Sequence, residues 1–186
     1  MRMNVITQER REESRVEEER RIRRRRGGGG YQRLGGALLG GLLGGAVFIA
    51  LEMILISVIS GQSPWGPPGM IAAIIMGRDV LPAPGTPPAF NLNVVVVGLA
   101  FHFGLSILYG LTLAAIVARI NLVAAAVVGI AFGIALYFIN FYGFTEIFPW
   151  FAMARSWITI LTHALFGLTA ASIYVGVKRA GSRARG

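Results

Sequence analysis

The chain has no cysteine and only two histidines in 186 residues. The first absence excludes disulfides, thiolate metal sites and a cysteine nucleophile, and it leaves the redox compartment open. Charge is also scarce, at 15% of residues, and almost all of it lies at the two ends. No nucleophile–base spacing and no phosphate-cradling glycine loop occurs, which argues against an enzyme. The formal charge of +9 comes without aromatic or groove-reading motifs beside the arginines. No nucleic-acid partner is therefore expected.

Apolar residues fill the space these absences leave: they make up 54% of the chain, and the mean hydropathy is +0.62. Four runs, 34–60, 93–118, 122–142 and 156–177, are each long enough to cross a bilayer as a helix. The expected fold is therefore all-α, an integral membrane four-helix bundle spanning residues 34–177. Residues 61–90 hold seven of the eight prolines and read as a loop region outside the spans. Within it, 69–81 is apolar but too short to cross, so it reads as an interfacial or re-entrant helix bounded by Pro67-Pro68 and Pro82. Arg78-Asp79 at its end reads as a local charge pair.

Residues 1–33 carry 11 Arg and 6 Glu. Glu17 with Arg21 and Glu19 with Arg23 are favourable i,i+4 pairs, so this arm is expected to be a marginal solvated helix or disordered, with Gly27–Gly30 as a flexible break. The run that follows is too long for a signal-peptide core and reads as an uncleaved anchor. Residues 178–186 form a basic tail. With both termini cytoplasmic, sixteen of the eighteen basic residues lie inside, a stronger bias than the positive-inside rule needs. Trp65, Trp150 and Trp157 then fall on the opposite side, at an interfacial belt. The basic ends would also contact anionic lipid head groups.

Small residues recur at helical spacing on every span: Gly36, Gly40 and Gly44; Gly98 and Gly110; Gly129 and Gly133; Gly167. Such ridges let helices approach closely in lipid, either within one chain or between copies, so a homo-oligomer is one expectation. The ionisable and polar residues of the spans fall on the same ridges. At 1.5 Å per residue, Glu52, His102 and His163 lie roughly 10 to 14 Å inside one membrane boundary, with Tyr137 and Asn140 slightly shallower.

These five residues form one expected polar layer. Unpaired ionisable groups in hydrocarbon cost about 2.5 kcal/mol or more, so the layer is expected to close on itself, Glu52 bridging an imidazole, without a cofactor. The alternatives are haem b between His102 and His163, a divalent metal on Glu52, His102 and His163, and a proton or small-solute conductor using the same three groups.

The segments MIAAIIMGRDVLP (Met70 to Pro82), HFGLSILYG (His102 to Gly110), YFINFYGFTEIFPWF (Tyr137 to Phe151) and HALFG (His163 to Gly167) resemble a group of small bacterial four-span inner-membrane proteins of uncharacterised function. The more distant YagU-like proteins are similar in span count and in a histidine on the last span. The resemblance covers about Ser63 to Tyr174 and implies a bacterial cytoplasmic membrane location and this architecture; it supplies no activity. The leading expectation is a small membrane protein of structural or accessory type, self-associating through its glycine faces.

Overall fold

The computed structural model describes the backbone of residues 2–183, and the side chains of 15–18 and 30–183. Among them there is no strand. Five helices follow in order: α1 (Arg2–Ser60), α2 (Gly66–Met76), α3 (Leu92–Val117), α4 (Leu122–Phe138) and α5 (Trp157–Arg183). Four stretches are long and apolar enough to cross a membrane, with mean hydropathies between 1.6 and 2.6. The chain is thus an all-α, multi-pass membrane protein. The longer connections, 61–91 and 143–156, define a loop side; the turn between α3 and α4 lies on the opposite, terminal side.

Local chemistry explains where the elements start and stop. Asn91 caps α3 by accepting from the Val94 amide at 3.3 Å, and Asn121 caps α4 through the Ala124 amide at 2.9 Å. Side-chain oxygens at this position satisfy amides that the first helical turn leaves unpaired. Pro67 and Pro68 lie inside the first turn of α2 and do not precede it, because a missing N–H costs nothing there. The short helix therefore begins three residues before its expected start. It ends where Gly77 turns to φ 90°, a region that only glycine enters freely. Lys178, expected as part of an orientation signal, donates to the Ala118 carbonyl at 2.8 Å, at the end of α3 where the dipole favours a cation.

Gly27–Gly30 does not break the first helix: the backbone stays helical from Arg2 to Ser60. Glycine in a helix costs only about 1 kcal/mol per residue and does not forbid it. The ion pairs expected at Glu17–Arg21 and Glu19–Arg23 lie outside the described side chains.

Helix α5 is the centre of the bundle. It packs against α1 on one side and α4 on the other, and α1 in turn packs against α3. All eight of the predicted packing glycines pack against another helix, seven in these seams and Gly98 on α2. A Cβ at Gly40 would meet the Ala170 carbonyl at 2.7 Å, and one at Gly44 the Phe166 carbonyl at 3.0 Å, while Gly36 faces Val177. Gly129 and Gly133 lie on Gly167 and the His163 carbonyl, Gly110 on Gly41, and Gly98 on the Pro68 carbonyl of α2. Each of these eight glycines thus meets a contact within its own chain.

Only residues 118–121 separate α3 from α4, a spacing that by itself predicts a tight hairpin. They are joined by a short turn, and Leu113, Ala114 and Val117 share a buried cluster with Ala125 of α4 at the terminal side. Towards the loop side they barely touch. The reason lies in the small-residue ridges: that of α3 is committed to α1 and α2, and that of α4 to α5. Neither faces the other.

Candidate functional site

The gap between α3 and α4 is a cavity of about 240 Å³. Phe48 of α1 together with His163 and Phe166 of α5 form its floor, and Ile71 and Ile74 of α2 close its loop side. Phe101, Leu105 and Tyr109 form one wall; Leu136, Asn140 and Phe141 form the other. Across the gap, the Tyr109 hydroxyl reaches Asn140 Oδ1 at 3.5 Å. That is a long contact at the limit of a hydrogen bond.

Asn140 sits in a π turn, Ile139–Gly143, at the end of α4. Such turns disturb the helical ladder and occur often at functional sites. The Phe141 carbonyl here accepts from Arg155 Nε at 2.7 Å, and the same guanidinium reaches Thr145 Oγ1 at 3.0 Å. It also lies 4.2 Å above the Tyr142 ring. Arg155, counted in the sequence only as a basic residue of the loop side, is thus the clamp that holds the turn carrying Asn140. Replacing it with alanine should cost about 1–3 kcal/mol through the stranded carbonyl and lost contacts. Faster amide hydrogen exchange confined to residues 139–145 is the expected readout.

Both imidazoles border the cavity, and each is anchored to a backbone carbonyl. His163 Nδ1 donates to the Thr159 carbonyl at 2.8 Å, and His102 Nε2 donates to the Gly45 carbonyl at 2.9 Å. A carbonyl can only accept, so the anchored nitrogen carries the hydrogen and the other ring nitrogen presents a lone pair. Phe48 stands against both rings: its centroid is 5.2 Å from that of His102, nearly parallel, and 4.6 Å from that of His163, nearly perpendicular. Tyr137 packs edge-on to His163 at 5.9 Å and is buried.

Glu52 does not join them. Its two oxygens accept from α5 hydroxyls, Thr159 Oγ1 at 2.8 Å and Thr162 Oγ1 at 2.5 Å. The five predicted polar residues are all buried or nearly so, yet they divide between two places. His102, Asn140 and His163 border the cleft, Tyr137 backs His163, and Glu52 ties α1 to α5.

This division changes the predicted chemistry. Among the described residues no three His, Asp or Glu side chains gather as a metal-ligand set, so Glu52, His102 and His163 are not assembled as one. The residues do not fit haem either. Axial ligation needs the free nitrogens, His102 Nδ1 and His163 Nε2, aimed at a common iron, whereas the Phe48 ring stands against both imidazoles. A relay from Glu52 to His163 would have to pass through the Thr159 carbonyl, which accepts hydrogen bonds and has no proton to hand on.

No known protein family, curated protein or solved structure matches the chain. Phe48, Tyr109 and Thr162 were missed in the sequence, although each has a signal there. Phe48 lies one turn before Glu52, Tyr109 two turns after His102, and Thr162 three residues after Thr159.

Proposed function

We propose that this protein belongs to a bacterial cytoplasmic membrane, with both termini on the cytoplasmic side, and binds an uncharged lipophilic small molecule in the cleft between α3 and α4. The observation that carries this reading is a cavity at the one seam where neighbouring spans do not pack. A cavity of about 150 Å³ already admits benzene; this one is larger, at about 240 Å³. Its walls are aromatic and aliphatic, with a few polar groups converging on it, the usual make-up of a small-molecule site. No charged side chain borders it, which disfavours an ionic ligand. The orientation is supported by the basic residues concentrated on the terminal side.

An aryl diazirine dissolved in the bilayer, activated by light in the reconstituted full-length protein, tests the reading. It should label residues 101–109 and 136–148 saturably, and Leu105→Trp, which fills the cleft, should abolish that component. Labelling there that never saturates, like that of the exposed residues Val96, Val123 and Val127, would sink it.

A further inference from the structure

The geometry points to a ligand that is a hydrogen-bond donor: a hydroxylated aromatic such as a phenol or hydroquinone, in preference to a quinone, an ether or a fatty acid. This inference rests on the cleft being a binding site and adds the chemistry it selects.

Anchoring to the Thr159 carbonyl puts the His163 hydrogen on Nδ1, so Nε2 offers a lone pair at the cleft. Its one partner is Asn140 Nδ2, at 3.4 Å. His102 spends its Nε2 hydrogen on Gly45, and among the described residues no hydrogen bond reaches its Nδ1. The Ser106 hydroxyl donates to the His102 carbonyl at 2.8 Å and faces His102 Nε2 at 3.4 Å, so that oxygen can only accept. The Tyr109 hydroxyl is turned to Asn140 Oδ1. The second Asn140 Nδ2 hydrogen is a free donor; the rest of what the cleft offers is acceptor capacity.

Two of these acceptors are rings more than nine-tenths buried: His102 is 8% exposed and His163 5%. A buried polar group without a good partner carries a free-energy cost that a suitable ligand removes. A carbonyl or ether oxygen could accept only from the second Asn140 Nδ2 hydrogen or the Tyr109 hydroxyl, and it would leave both imidazole lone pairs unanswered. A carboxylate would do the same and would find no cation among the residues bordering the cleft. A hydroxyl donates to His163 Nε2 and replaces the long Asn140 contact. The flat aromatic body suits walls that include Phe48, Phe101 and Phe141, where offset and edge-to-face ring contacts add affinity.

The test uses the full-length protein in nanodiscs and the same photoactivated aryl diazirine, displaced by three molecules of nearly equal shape: 2,6-dialkylphenol, its methyl ether, and the dialkylbenzene. The phenol should displace the label at about tenfold lower concentration than either of the others, the worth of one good hydrogen bond. In His163→Phe the phenol should lose its advantage over the methyl ether and the dialkylbenzene. Equal competition by all three in the unaltered protein overturns the donor requirement and leaves the cleft as a binding site. Absence of any saturable label in residues 101–109 or 136–148 overturns the binding reading itself. The comparison in the unaltered protein stands whether or not the variant folds.

Discussion

Gly133→Ala and Gly167→Ala should each destabilise the bundle by more than about 3 kcal/mol, as overpacking against a rigid neighbour does at its upper end. A methyl at Gly133 would lie on the His163 carbonyl, and one at Gly167 on the Gly129 carbonyl. Backbone atoms on both sides of the seam cannot rotate out of the way, so α4 and α5 would have to separate. The same substitution at Gly35, Gly104 or Gly176 meets nothing within 4 Å. There it should be neutral or stabilise by up to about 1 kcal/mol through helix propensity. Reversible unfolding in mixed micelles, followed by circular dichroism, measures both sets. If all five variants lie within 1 kcal/mol of one another, the close α4–α5 approach is wrong. Losing that approach would also displace His163, whose carbonyl is the contact surface, so saturable labelling of the cleft should fall with stability.

The second expectation concerns the clamp between α1 and α5. Thr162→Val should cost about 1–3 kcal/mol, because it leaves Glu52 Oε2 buried without its donor. Glu52→Gln should cost less than about 1 kcal/mol. The amide keeps an acceptor for Thr159, and its N–H₂ can donate to Thr162, whose own hydrogen then turns to the Thr159 carbonyl at 3.1 Å. Combining Glu52→Leu with Thr162→Val should cost less than the sum of the two single changes, since removing both partners avoids an orphaned polar group. Purely additive costs would show that the 2.5 Å contact contributes nothing.

Neither variant touches the cleft directly, because Glu52 faces the other side of α5 from the α4 seam. Photolabelling of the cleft should therefore survive Glu52→Gln. That result would separate the clamp from the site, two features that lie at similar depth along their helices.

By itself the sequence settled the number of long apolar helices, the ridge on each that packs, and the burial of Glu52, His102, Tyr137 and His163. These follow from run length and helical period, properties that each segment carries alone. Tertiary structure decided which ridge meets which. Spacing along one helix says that Gly129 and Gly133 seek a close neighbour; it does not say that the neighbour is α5 and not the adjacent α3. That single pairing opened the cleft, because two consecutive spans turned their small faces away from each other. The packing of α1 on α5 and α3 sent Glu52 to threonine hydroxyls and set Phe48 against both imidazoles. Depth along a helix can be counted from the chain, but the angle around it is resolved only when the partners are in place.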